Sequence, residues 1–332
     1  MLTLFALAFG RNFLLDDSYF PWMVKSISCL KDTSLLIIGD SEWPHGIKDH
    51  PILSSKITFS FVKWEDLKNK TEYFLNGEIF SDDKISDYSK ASDFKPLIPA
   101  LFPNLFSSSE FIGWIDIDLI IGSDFDRMIS HSDFNSSSYI QFIDTHYQGS
   151  KGLKLSFSPI SIINKNAYNE IILPVLKRER MPLYAVFKYG KVRNYSGWGA
   201  PSWGGLGYKH SFSYIISLAS SNPLFTMTHI NSLSPYHYLS DHICNPTSPS
   251  KIIPNKCGLC ESVIISYKAD SSVSLRSHKK NPVLFCHLQS SKKANSMINP
   301  FGNPESLQTF LEAKKVTVSS TYSYGLVVHT NL

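Results

Sequence analysis

Short apolar runs, each closed by a glycine, an acid or a turn residue, recur along the first half of the chain with room for helices between them. Thr3–Ala8, Ser34–Gly39, Ile57–Val62, Phe111–Ile117, Ser138–Ile143 and Ser156–Ile163 are rich in β-branched and aromatic residues and read as strands. Pro21–Leu30, Trp64–Asn76, Asp93–Phe102 and Asn166–Leu176 fit helices between them. Asp17 or Ser18 is available to cap the first, and Pro96 and Pro99 must sit early in the third or kink it. Such alternation predicts an α/β fold, a mainly parallel central sheet flanked by helices, over residues 1–180. Residues 181–332 are less regular. Tyr195–Tyr208 is rich in Gly and Trp, and Asn231–Glu261 in Pro, Ser, Asn and Cys. Strands are expected again at Ser262–Tyr267 and Val283–Leu288, then a helix opened by Asn303 and Pro304 that carries Leu307, Phe310 and Leu311. One compact domain holding both parts is the expected arrangement.

Composition narrows the classes. With 43% hydrophobic and 18% charged residues over 332 positions, the chain has a globular balance and ample material for a core. A net charge of +4, with Lys177-Arg178-Glu179-Arg180 as the densest basic patch, argues against dedicated nucleic-acid binding. Nowhere do about 18 apolar residues run together, so no membrane span is expected. The apolar start Met1–Gly10 has no basic segment ahead of it and reads as a buried strand rather than a secretory leader. Five cysteines, an odd set in a chain of this size, point away from a disulfide framework and towards a reducing, cytoplasmic setting.

The sharpest local signal is Glu110-Phe-Ile-Gly-Trp-Ile-Asp116-Ile-Asp118-Leu-Ile-Ile-Gly122. An apolar strand runs into two carboxylates one residue apart, and in open α/β sheets ligands collect at the carboxyl ends of strands. Two close like charges are costly unless a cation or donors satisfy them, and Mg²⁺ or Mn²⁺ beside phosphate oxygens does so. A solvated or capping pair is the plainer alternative. The strand Ser34–Gly39 likewise ends in an acid, Asp40, suited either to a base or ribose contact or to turn chemistry. Asp93 and Lys95, just ahead of the Asp-Ile-Asp strand, supply an acid and a cation that can face a diphosphate.

Asp93-Phe-Lys-Pro, Phe102-Pro-Asn-Leu and Phe111-Ile-Gly-Trp-Ile-Asp-Ile-Asp-Leu-Ile-Ile-Gly-Ser together resemble the core of a family of glycosyltransferase-like proteins of bacteria and large viruses. The opening Phe9-Gly10, Phe20-Pro-Trp and Ser26, and the strand ending at Asp40, sit at matching places. Val283-Leu-Phe-Cys-His287-Leu-Gln289-Ser-Ser-Lys292 is similar to that family's closing strand. The resemblance covers about residues 3–175 and 282–293. It implies a GT-A type fold that takes a nucleoside-diphosphate sugar with Mn²⁺ or Mg²⁺ and passes the sugar to a glycan or other hydroxyl acceptor. On that resemblance Asp116 meets ribose or sugar, Asp118 binds the metal with His287 as a further ligand, and Asp116 belongs to the same metal cluster. Asp40, Asp93 and Lys95 line the donor pocket and Lys292 meets phosphate. The enzymatic reading fails if the two strand-end carboxylates lie far from any cleft or are neutralised by lysine or arginine.

The acceptor side is thinner. Trp198 and Trp203 offer indole faces to a sugar within a glycine-rich stretch, but no Asp or Glu lies between Arg180 and Leu239, so no catalytic base is assigned. Cys257-Gly-Leu-Cys260 is half of a zinc pattern without a second half. Two other readings stay open. One is a phosphohydrolase of the haloacid-dehalogenase kind, although Ile120 stands where Thr or Val is usual. The other is a non-catalytic carbohydrate-binding protein on a degenerate transferase scaffold.

Overall fold

The computed structural model describes residues 1–10, 20–28, 30–41, 55–77, 91–117, 119–122, 124–130, 132–143, 160–180 and 212–231, and the strand paths of 237–240, 263–267, 273–276, 283–287, 315–321 and 325–331. Fourteen strands lie among the described residues: β1 Leu2–Ala8, β2 Thr33–Gly39, β3 Ile57–Phe61, β4 Phe111–Ile115, β5 Leu119–Ile121, β6 Tyr139–Ile143 and β7 Ile160–Asn164 in the first half. The second half adds β8 Met227–Asn231, β9 His237–Ser240, β10 Val263–Tyr267, β11 Val273–Arg276, β12 Val283–His287, β13 Lys315–Thr321 and β14 Gly325–Asn331. Seven strands form the main sheet, in the order β3-β2-β1-β4-β7-β6-β8. The first four neighbours run parallel, β7 is antiparallel to both β4 and β6, and β8 is parallel to β6. The sheet is therefore mixed and mostly parallel, with helices on both faces. β11-β10-β13-β14 form an antiparallel sheet, and β5-β12-β9 a third small one.

β1 is the spine. All seven of its residues are buried, as a strand covered on both faces requires. Its alternation splits the core in two. Leu2, Leu4, Ala6 and Ala8 face one apolar cluster with Met23, Val24 and Ile27 of the helix Phe20–Ser28 and with Phe125 and Met128 of the helix Asp124–Ile129. Phe5 and Leu7 face the other, with Trp64, Leu67, Phe94, Leu97, Ile98, Phe212 and Ile215. Full burial of one such side chain contributes about 1.5–3 kcal/mol, and β1 contributes to both apolar clusters.

Local chemistry sets the helix limits. Trp64–Leu75 buries Trp64, Leu67, Thr71 and Leu75, one stripe at helical spacing, and stops at Asn76 in the left-handed conformation (φ 55°). Asn164 caps the next long helix, its side-chain oxygen accepting from the amides of Asn166 (3.0 Å) and Ala167 (3.2 Å). That helix runs to Arg178 through a π-helical stretch, Tyr168–Ile172. The expected helix over 93–102 is broken into Ala91–Phe94, a 3₁₀ turn Lys95–Leu97 and Ile98–Leu101, with Pro96 and Pro99 each within the first two residues of its piece. Proline lacks the N–H that a continuous helix would need there.

The sequence reading of β1, β2, β3, β4, β6, β7, β10 and β12 agrees with the structure to within a few residues. Two expectations change. The strand foreseen over Phe111–Ile117 ends at Ile115, and β5 then pairs in a different sheet. The second half is more strand-rich than its irregular composition implied, through β8, β9, β11, β13 and β14. Tyr195–Tyr208, the cysteine pair 257/260 and the helix expected after Asn303 lie outside the described residues.

Candidate active site at the carboxyl edge of the sheet

Strand order locates the site. From β1 the chain moves outward through β2 and β3, then β4 returns to the other side of β1. A parallel sheet reversing direction in this way opens a crevice beyond the carboxyl ends of the two central strands, and ligands bind there. Here those ends are Ala8, leading to Phe9-Gly10, and Ile115, leading to Asp116.

The β1–β2 edge is tightly tied. A side chain at Gly39 would place its Cβ 1.8 Å from the Ala8 carbonyl oxygen, so only glycine permits this approach. Gly10 adopts φ 109°, a second position where a side chain is disfavoured. Its amide donates to Asp40 Oδ1 at 2.8 Å, its carbonyl accepts from Ser41 Oγ at 2.7 Å, and the Ser41 amide donates to the Ala8 carbonyl at 3.2 Å. Asp40 therefore stands at the crevice, half-buried, and one carboxylate oxygen is spent on turn chemistry, the alternative its sequence context left open.

Beneath this edge runs a chain of aromatic contacts. Phe9 meets Trp64 edge-on (centroids 5.1 Å apart), and Trp64 meets Phe94 the same way (5.3 Å). Phe94 anchors the segment that delivers Asp93, which is 1% exposed, and Lys95, which is 8% exposed. The Lys95 ammonium donates to Asp116 Oδ1 across the crevice, and the Asp116 side chain keeps 34% exposure. Residues 21 apart in sequence are thus brought together where the fold places its ligand crevice. Lys95 also neutralises one of the two strand-end acids, which counts against a cation clamp built equally on both.

Asp118 and Lys292 lie outside the described residues; His287 is placed by its strand alone. That placement matters. β12 pairs antiparallel with β5, setting His287 opposite Leu119, Cys286 opposite Ile120 and Phe285 opposite Ile121. The closing motif thereby lands beside the residue that follows Asp118 in the chain. Among the described residues, no group of three or more His, Cys, Asp or Glu side chains forms a metal cluster.

Sequence reasoning did not anticipate how these parts are held. Ser26, fully buried, receives the Ile121 amide on its Oγ at 3.1 Å and donates to the Met23 carbonyl at 2.8 Å, tying the first helix to β5. Tyr168 donates its hydroxyl to the Pro96 carbonyl at 2.8 Å, and burial pushes that hydroxyl's pKa well above its ordinary value. Ser26 falls at a place the family resemblance matches, without a stated role, whereas Tyr168 belongs to no recognisable motif. At the opposite edge, Asp126 accepts the Lys31 amide on Oδ2 at 2.9 Å. Burial raises its pKa above the ordinary aspartate value, the Lys31 hydrogen bond opposing that rise.

No family model matches the chain, and no curated protein matches it in sequence. Among solved structures it is similar to the galactosyltransferase LgtC in complex with donor and acceptor sugar analogues, at 11% identity over 95% of this chain and 96% of that one, with a TM-score of 0.47. It is similar also to a glycosyltransferase involved in glycosylation of the major capsid of PBCV-1, at 11% identity over 94% of this chain and 98% of that one, TM-score 0.40. A third is mouse xyloside xylosyltransferase 1 in its apo form, at 12% identity over 75% and 89%, TM-score 0.42. At such identities function has to be read from the site itself. No helix among the described residues is long and apolar enough to cross a membrane.

Proposed function

We propose that this chain is a metal-assisted glycosyltransferase that takes a nucleoside-diphosphate sugar and passes the sugar to a hydroxyl acceptor. The observation that supports it is the pairing of β12 with β5, which brings the segment ending at His287 alongside the strand that follows Asp116-Ile-Asp118. The pairing joins strands more than 160 residues apart in the sequence, and Lys95 reaches Asp116, which precedes β5 by three residues.

The residues divide the work by position. Asp118 and His287 would hold Mn²⁺ or Mg²⁺; an acid and an imidazole suit either ion, Mn²⁺ better. When bound, the metal would offset negative charge growing on the departing diphosphate. Asp116, with one oxygen already on Lys95, fits a hydroxyl of ribose or sugar better than a share in the metal. Lys95, held in the crevice by that acid, supplies a second positive charge for phosphate. Asp40 and Asp93 border the donor pocket, and Lys292 would meet phosphate from the chain's return.

The Lys95–Asp116 ion pair also favours one alternative, a carbohydrate- or nucleotide-binding protein that has given up the metal. A thermal-shift titration separates the two. With UDP or GDP at about a hundred times Kd, the melting temperature should rise by the equivalent of about 2.7 kcal/mol. The rise should need Mn²⁺ and vanish in Asp118→Ala. A rise indifferent to Mn²⁺ selects the binding protein. An equal, Mn²⁺-dependent rise in Asp118→Ala removes that residue from the metal site, and silence from UDP, GDP, ADP, CDP and dTDP alike with Mn²⁺ rules out the transferase.

A further inference from the structure

Lys95 hangs from a backbone that its own turn cannot fully satisfy. In the 3₁₀ turn Lys95–Leu97 the Ile98 amide donates to the Lys95 carbonyl, but the next carbonyl, that of Pro96, would look three residues on to Pro99, which has no N–H. A side chain supplies a donor. Tyr168, 1% exposed, reaches across 72 positions of sequence to donate to the Pro96 carbonyl at 2.8 Å. It does so from the first residue of the π-helical stretch Tyr168–Ile172, where the helix takes in an extra residue per turn and re-aims its side chains.

We infer that Tyr168 is a positioning residue for the site: by clamping the Pro96 carbonyl it fixes the backbone from which Lys95 meets the diphosphate of the donor. This rests on the transferase reading above. Its geometric basis is the unbroken path from Tyr168 Oη through Pro96 and Lys95 to Asp116 Oδ1. The Tyr168 hydroxyl, which also bonds the Ala100 backbone, holds the start of the Ile98–Leu101 piece against the Lys95 turn, and small errors in its place are passed to the ammonium at the end of the lysine.

The fold supplies a matched control. Tyr139 is as deeply buried, packs in the same apolar cluster, and directs its hydroxyl to Ser161 Oγ of β7 at 3.4 Å. Dissociation constants for UDP and for uridine, with Mn²⁺, are measured on the full chain as wild type, Tyr168→Phe and Tyr139→Phe. Tyr168→Phe should weaken UDP about tenfold, equivalent to about 1.4 kcal/mol, while leaving uridine within about twofold. Tyr139→Phe should leave both within about twofold, whatever melting temperature it loses. Equal losses on UDP and uridine, or a Tyr168→Phe that matches Tyr139→Phe, overturn the positioning role and leave the transferase reading standing. A wild type that binds no diphosphate removes that reading and this inference with it. Where Tyr168→Phe does not fold, 3-fluorotyrosine at position 168 keeps the ring and strengthens the donor; an unchanged UDP constant then overturns the proposal.

Discussion

At the scale of single residues, polar side chains in this chain work by what they hold. Asp40 fixes a glycine amide, Ser26 a strand amide and Tyr168 a proline carbonyl, and each closes an account that the backbone leaves open. Asp126 does the same for the Lys31 amide, but burial makes its charge a cost. A carboxyl whose folded pKa is raised favours folding when protonated, so its contribution is greatest below the ordinary aspartate value and is lost as pH rises through the raised one. Urea denaturation of wild type and Asp126→Asn should therefore converge in favour of the wild type near about pH 3.5 and diverge in favour of the variant near about pH 7. A stability difference that ignores pH would show that Asp126 is ionised at no cost.

At the scale of elements, the link between the first helix and β5 should be measurable. Ser26→Ala leaves the buried Ile121 amide without its side-chain acceptor and should cost about 1–3 kcal/mol in urea unfolding. A loss under about 0.3 kcal/mol would mean that another group serves that amide.

The same elements explain what could be read in advance. β1, β2 and β4 were legible because a strand buried on both faces must be apolar throughout, and Leu2–Ala8 and Thr33–Gly39 are nearly so. Asp116 was legible because it closes an apolar run at the strand end where an open α/β sheet gathers ligands, although a solvated or capping acid would read the same. β5 was hidden: Leu119–Ile121 is three residues long and continues the apolar run, and nothing in it says that it pairs with a strand 160 residues later. The antiparallel insertion of β7 between β4 and β6 was hidden too, since strand composition carries no neighbour order. A signal for β13 was present in the β-branched alternation of Lys315-Val-Thr-Val. Lys95 was named as a phosphate ligand, but its contact with Asp116 depends on a turn shaped by two prolines and a tyrosine far along the chain.

At the scale of the whole molecule, the main sheet is a gradient of protection. β1 and β4 lie at its middle, buried between two apolar clusters, whereas β3 and β8 are its edges, with Phe61 at the end of β3 63% exposed. Native-state hydrogen exchange should find the slowest amides in β1, β2 and β4 and faster ones in β3 and β8. Uniform exchange across the seven strands would contradict a core centred on β1. The passage from β4 to β5 has a consequence of its own. Within a few residues the chain leaves one sheet and enters another, so Asp116, the residue after β4, stands where two separately bonded sheets adjoin. A side chain that holds Asp116, as Lys95 does, therefore ties a residue next to β5 back to the helical turns packed on the main sheet.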